Sequence, residues 1–79
     1  MNRSALRQLL DREQVRRDVY ALDGGSPDEA LCLQPGQGGW IVLYSERGGR
    51  TGERWFETEH EACDFMANRL LGDSGNRIS

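Results

Sequence analysis

The sequence predicts a small α+β domain: a four-stranded antiparallel meander with one N-terminal and one C-terminal helix, in the order α-β-β-β-β-α. Three observations predict it. The chain has 79 residues, 37 % hydrophobic and 29 % charged, a size and composition typical of a single core. Apolar residues recur at helical spacing near both ends. Between them, four β-prone runs alternate with glycine, proline and aspartate.

The first predicted helix covers about residues 4–16, with Ser4 as its candidate N-cap. Its apolar stripe consists of Leu6, Leu9 and Leu10. Arginines surround this stripe, which therefore indicates an amphipathic helix packed against a core.

Four strands are predicted to follow this helix. They cover residues 19–22, 30–34, 40–46 and 53–57. Their connections have about four to seven residues, whereas a parallel crossover requires a dozen or more. The strands are therefore expected to form an antiparallel meander.

The second helix begins at a capping box formed by Thr58 and Glu61 and extends to about Leu71. Gly72 is expected to end it in a left-handed conformation. The residues near its apolar stripe are Ala62, Phe65, Met66, Arg69 and Leu70. Both amphipathic helices are expected on one face of the sheet. The domain is expected to span residues 1–72, with 73–79 as a disordered polar tail.

The third predicted strand is apolar on both of its sides. Alternation assigns Trp40, Val42 and Tyr44 to one side and Ile41, Leu43 and Ser45 to the other. Two helices cover two faces only thinly, so an apolar patch is expected to remain for a protein partner. Coverage of each face by one helix, or burial of the patch in a homodimer, is the alternative.

Charge and hydropathy disfavour two classes of partner. The net charge of −3 is the wrong sign for general nucleic-acid binding, although Arg3 and Arg7 share a face of the first helix and leave a contact there as an alternative. No apolar run reaches the roughly 20 residues that span a membrane, and the first residues do not match a secretion signal. We therefore expect a cytoplasmic protein with no membrane contact.

The sequence contains no recognisable reactive constellation. Cys32 and Cys63 lack metal-ligand neighbours, so both are expected to be reduced, buried thiols, with a disulfide as the alternative. His60 lies in the first turn of the second helix, and no nucleophile motif surrounds Tyr44 or Ser45. We therefore predict a protein that is not an enzyme, with no catalytic residue, metal or cofactor.

Acidic residues concentrate in the C-terminal half. Residues 53–64 contain five carboxylates and one arginine. The dipole of the second helix favours acids in its first turn, which explains Glu59 and Glu61. It does not explain Glu53 or Glu57, which are candidates for an acidic patch offered to a basic partner.

Three stretches carry a resemblance to a known family: residues 20–24 (YALDG), 39–48 (GWIVLYSERG) and 56–63 (FETEHEAC). Over about residues 15–71 the chain resembles small bacterial immunity proteins of polymorphic toxin systems. The resemblance implies binding and neutralising a toxin domain, and it names neither the toxin nor the contact residues.

The expected mechanism is occlusion of the toxin's active cleft. Aromatic residues and mixed charges are typical of such interfaces. The candidate contacts are Trp40 and Tyr44 as anchors, and Glu46, Arg47, Glu53 and Glu57 as polar contacts. For Glu46 and Arg47, a purely structural place at a strand end and turn is the alternative. A homodimeric structural or regulatory domain is the alternative function.

Overall fold

The computed structural model describes residues 1–25, 27–47 and 49–77. Within them, the chain forms two α-helices and four strands: α1 (Arg3–Arg12), β1 (Tyr20–Ala21), β2 (Ala30–Gly36), β3 (Gly39–Glu46), β4 (Gly49–Phe56) and α2 (Glu59–Leu71). The predicted α+β class and element order are confirmed. Positions 26 and 48 of the predicted turns and 78–79 of the predicted tail lie outside the described residues.

The sheet is mixed, so the predicted all-antiparallel meander is wrong. Its spatial order is β1-β2-β3-β4, and β2–β3 and β3–β4 are antiparallel. However, β1 pairs parallel to β2, with Tyr20 opposite Leu31. The rule on connection length fails because β1 has only two residues. The chain must return by only about 7 Å to begin β2, and a short loop spans that distance.

Strand β4 begins four residues earlier than the sequence indicated, at Gly49. Residues 49–52 were expected in a turn because of their glycines. Instead, Gly52 has a left-handed φ of 63° and lies at an irregularity in the β3–β4 register between Val42 and Tyr44. Glycine adopts this conformation without steric cost, so it marks a β-bulge within the strand.

The helix ends follow capping rules with two differences from the sequence prediction. The N-cap of α1 is Asn2, whose side chain accepts from the Ala5 N–H, rather than Ser4. The N-cap of α2 is Thr58, as predicted, and its Oγ1 accepts from the Glu61 N–H at 3.2 Å. Gly72 has a φ of −74°, so the predicted left-handed cap is wrong.

Both helices pack on one face of the sheet, which we call the helix side. One core cluster joins the two helices to β2 and β3; its buried members include Leu6, Leu10, Leu31, Leu33, Val42, Cys63, Met66 and Leu70. The other face, the tryptophan side, holds a second cluster of Ala30, Cys32 and Leu43 with the half-buried Ala21 and Ile41. The alternation expected along β3 therefore separates two cores.

Residues 73–77 fold back against the connection between α1 and β1. The Arg16 N–H donates to the Asn76 carbonyl at 2.8 Å, and Val15 forms an isolated bridge with Arg77. The Asn76 side chain donates to the Leu70 carbonyl at 3.3 Å. These bonds link the end of α2 to the first connection of the domain.

The two cysteines are free and buried, Cys32 on the tryptophan side and Cys63 on the helix side. Burial, with a smaller contribution from the nearby Glu59 carboxylate, raises the pKa of Cys63 to about 11. Burial also raises the pKa of Cys32. Both thiols are therefore held in the neutral form that their apolar surroundings favour.

The Asn2 cap predicts unequal effects for two neighbouring substitutions. Asn2→Gln moves the amide away from the Ala5 N–H, so we expect it to lower the free energy of unfolding by about 1 kcal/mol. Ser4→Ala, at an exposed position inside the first turn, should change it little. Urea unfolding of both variants measures the difference, and a larger loss for Ser4→Ala would contradict the assignment.

Stability should fall at alkaline pH. The folded state raises the thiol pKa, so the neutral thiol contributes to the free energy of unfolding. This contribution is fully present below the ordinary thiol pKa of about 8.5. It is lost as pH rises toward the folded value of about 11 for Cys63. Urea unfolding between pH 7.5 and 10.5 should show this decline, and Cys63→Ala should show a shallower one. Equal slopes would contradict the prediction.

Candidate protein-binding surface

Two large hydrophobic side chains are exposed among the described residues. Tyr44 is 37 % exposed and Trp55 is 54 % exposed. They lie on opposite faces of the β3–β4 ribbon, because Tyr44 alternates with Val42 on the helix side whereas Trp55 lies opposite Ile41 on the tryptophan side. Each face of the ribbon therefore offers one aromatic residue.

The Trp55 ring already has a structural role. It covers the glycine backbone at the β2–β3 turn, since a Cβ on Gly39 would lie 2.6 Å from the ring. Aromatic rings stabilise glycines in sheets by this kind of cover. On the same face, Gln34 donates to the Gly24 carbonyl at 3.2 Å, which holds the β1–β2 connection nearby. Among the described residues, Trp55 is therefore the exposed large hydrophobic side chain of the tryptophan side.

Tyr44 borders an open cleft on the helix side, which we call the Tyr44 cleft. Its volume is about 600 Å³, and its walls are Leu31, Tyr44, Thr51, Gly52, Glu53, Arg54, Phe65 and Arg69. A smaller cleft of about 310 Å³ shares Leu31, Tyr44 and Arg69 with it and extends to Arg16, Glu29 and Asp73. Gly52 of the β4 bulge and the charged Arg69 are part of its walls.

Two arginines stack on one phenylalanine at this cleft. The Cζ atoms of Arg54 and Arg69 lie 5.2 and 5.6 Å from the ring centroid of Phe65. Phe65 in turn contacts Phe56, with ring centroids 5.3 Å apart. Among the described residues, no carboxylate lies within 4.0 Å of either guanidinium. The stack therefore holds two cations that form no ion pair with a described residue.

The carboxylates of the acidic stretch divide into two groups. Glu59 accepts from the Arg3 N–H at 2.8 Å and pairs with its guanidinium at 3.3 Å. Asp64 lies 3.2 Å from His60 and 3.6 Å from the amino terminus, and the Glu61 carboxylate accepts from the Thr58 hydroxyl at 3.1 Å. Two carboxylates make neither an ion pair nor a side-chain hydrogen bond with any described residue: Glu53 and Glu57. The sequence singled out these same two.

The six predicted contact residues do not form one patch. Four of them lie at or beyond the bulge, toward the β3–β4 turn: Tyr44, Glu46, Arg47 and Glu53. Trp40 and Glu57 lie near the opposite end of the ribbon, about 20 Å along β3. Trp40 is also half-buried, with the Arg3 Cζ 5.2 Å from its ring centroid. Tyr44 and Glu53 are the two that line the cleft.

Six of the eight residues that line the cleft were not singled out as contacts from sequence, among them the stacked group of Arg54, Phe65 and Arg69. One feature of the sequence could have indicated this part of the surface: Arg69 is a charged residue in the helix stripe that was assigned to the core. Because Phe65 and Arg69 are four positions apart, they are neighbours on the helix surface. Their flank of α2 faces β4 at the edge of the core.

The part of the chain that the structure describes was also compared with the requirements of a metal site and of a membrane span. These residues contain no group of three or more possible metal ligands. Their helices are also too short or too polar to cross a membrane. His60 is exposed and contacts Asp64 and the amino terminus.

A comparison with protein families, curated proteins and solved structures gives no match to this chain.

The different surroundings of the two tryptophans predict different fluorescence. Trp40→Phe leaves the exposed Trp55 as the only emitter, so its emission should be red-shifted and strongly quenched by acrylamide. Trp55→Phe leaves the half-buried Trp40, whose emission should be bluer and less quenched. Equal quenching of the two variants would contradict the placement of these side chains.

Proposed function

We propose that this domain is a non-catalytic binding protein that neutralises a cognate bacterial toxin by occluding the toxin's active cleft. The proposed docking surface is the Tyr44 cleft together with Glu46 and Arg47, which follow Tyr44 along the chain. One observation carries the proposal: an exposed tyrosine on a central strand borders a cleft that also presents Glu53, Arg54 and Arg69, none of which has an ion-pair partner among the described residues.

The chemistry of this surface supports a protein partner. Tyrosine and arginine are enriched at the energetic centres of protein interfaces, where polar groups form the surrounding rim. Tyr44 supplies a large contact area with few rotatable bonds, and strand β3 is paired on both of its edges. Little conformational freedom is therefore lost on docking.

The unpaired carboxylates favour a partner with basic surface near its active cleft. Glu53 and Glu57 form no ion pair with a described residue. Their charges are therefore available to a partner, in a chain whose net charge is −3. Complementary charge of this kind accelerates encounter more than it deepens affinity. In this proposal the domain acts in the cytoplasm of the cell that encodes the toxin.

The resemblance to immunity proteins supports the same proposal. Its most extended stretch, residues 39–48, includes all of β3, the strand that bears Tyr44. The stretch at 56–63 includes the start of α2, the helix that bears Phe65 and Arg69. The resembling segments therefore build the framework of the proposed docking surface.

The features of β4 favour a monomer over a homodimer formed by edge pairing. Among the described strands, β4 lies at one edge of the sheet, and it carries the Gly52 bulge and the charged Arg50, Glu53 and Arg54. Bulges and charges are the devices that prevent edge-to-edge association. Sedimentation analysis should give a monomer, and a stable dimer that buries Tyr44 would support the homodimeric alternative instead.

Co-expression with a toxin tests the proposed function. The toxin to use is the C-terminal domain of a large secreted protein encoded beside this gene. The full chain should restore growth and form a 1:1 complex with the toxin. Tyr44→Ala should weaken that complex by about 30-fold, the loss typical of truncating a central interface aromatic.

A matched control lies on the other face of the same ribbon. Arg50 is exposed and pairs in register with Ser45, so Arg50→Gln should leave the complex unchanged. Glu53→Lys should slow association. Failure of the full chain to restore growth, or equal effects of Tyr44→Ala and Arg50→Gln, would contradict the proposal.

A further inference from the structure

We propose that Arg54 and Arg69, stacked on Phe65, form a receptor for a carboxylate in a peptide segment of the partner. This inference rests on the proposed function in one respect, because it takes the occupant of the Tyr44 cleft to be part of a protein. It adds the chemical group that the cleft recognises.

Arg54 and Arg69 belong to the half of the ten arginines that have no carboxylate partner among the described residues. The chain has thirteen acidic and ten basic residues, so carboxylates are in excess. Five arginines do have a carboxylate partner among the described residues: Arg3, Arg7, Arg16, Arg17 and Arg77. Of the arginines without one, Arg54 and Arg69 are the pair that line the Tyr44 cleft.

The stack on Phe65 suits carboxylate binding. A guanidinium above an aromatic ring keeps its N–H donors directed outward in its own plane, and those donors match the two oxygens of a carboxylate. The ring also restricts the rotamers of both side chains. Arg54 and Arg69 reach Phe65 from different elements, β4 and α2, so both charges lie at the seam between these elements.

The rest of the cleft accommodates an apolar side chain next to that carboxylate. Leu31 and the rings of Tyr44 and Phe65 give apolar walls, while Thr51 and Tyr44 add hydroxyl groups. A volume of about 600 Å³ lies within the range of sites that hold small ligands or a few side chains. An acidic residue flanked by leucine-like residues fits these walls.

Charge balance favours a peptide over a nucleic acid. The two joined clefts are lined by three arginines, but also by the carboxylates of Glu29, Glu53 and Asp73. A chain of phosphates would meet these carboxylates as well as the arginines, whereas binding to a polyanion depends on a continuous basic surface. A single carboxylate reaches the two arginines and leaves the acids for basic groups of the partner.

The test uses the full chain, labelled with ¹⁵N, and two peptide probes. One is acetyl-Leu-Glu-Leu-amide and the other is its neutral match, acetyl-Leu-Gln-Leu-amide. We expect the glutamate peptide to shift the Nε–H resonances of Arg54 and Arg69 in NMR titrations, with saturation in the millimolar range. The affinity of the glutamine peptide should be lower by about fivefold or more, because this peptide lacks the charge-assisted hydrogen bonds.

Variants assign the effect to the stacked pair. Arg54→Gln and Arg69→Gln should each reduce glutamate-peptide binding to the level of the glutamine peptide. Arg54→Lys keeps the charge but loses the planar pair of donors, so it should bind less well than the unchanged chain. Arg12→Gln removes another arginine that has no carboxylate partner among the described residues and lies on α1, and it should have no effect. Dispersed amide spectra verify that each variant is folded.

Three results would overturn the inference. They are equal binding of both peptides, no saturation by the glutamate peptide at about 10 mM, and tighter binding of a twelve-nucleotide single-stranded DNA that displaces the peptide. The last result would assign the cleft to nucleic acid. Because these titrations need no toxin, they separate the two proposals. Failure to restore growth together with selective binding of the glutamate peptide rejects the toxin role. Restored growth without selective peptide binding rejects the carboxylate receptor.

Discussion

The burial of both helices on one side of the sheet determines the rest of this structure. Leu6 and Leu10 of α1 and Met66 and Leu70 of α2 complete one core with residues of β2 and β3. The described part of the chain has no third α-helix for the other side, so that side holds only a small buried cluster. Ala30 and Cys32 are fully buried there, and Trp55 lies across the neighbouring turn. A domain of this size has little further apolar surface with which to cover itself.

The same constraint explains where the open surface lies. Helix α2 covers the sheet as far as Val42, which is 1 % exposed, whereas Tyr44, two residues further along β3, is 37 % exposed. At that point the facing residue of α2 is Arg69 and the facing part of β4 is the bulge at Gly52. The cleft thus lies where α2 and β4 no longer place apolar side chains over Tyr44. Charged residues of these two elements line it instead.

Local patterns in the sequence were sufficient for most of the fold. Helical spacing located both helices, and the alternation along residues 40–46 assigned Val42 and Leu43 to opposite faces. What failed depended on contacts between distant segments. The parallel pairing of β1 follows from its two-residue length, and the strand character of residues 49–52 follows from pairing with β3. Turn-forming residues at these positions indicated loops because propensity describes a segment without its neighbours.

The candidate site was predictable to a similar extent. Tyr44 and Glu53 were identified because an aromatic residue on a two-faced strand and an acid outside the helix dipole are local features. The stack of Arg54 and Arg69 on Phe65 was not, because it depends on how α2 lies over β4. That position is set by the core packing of Met66 and by the register of β4, neither of which a one-dimensional pattern contains.

The separation of Cys32 from Cys63 has a consequence for the chemistry of the chain in oxidising conditions. The sheet stands between the two sulfur atoms, one in each core. No rotation of either side chain joins them, so a cross-link within one molecule requires the strands to come apart first. Formation of an internal disulfide would thus trap only molecules that have already lost their native layers.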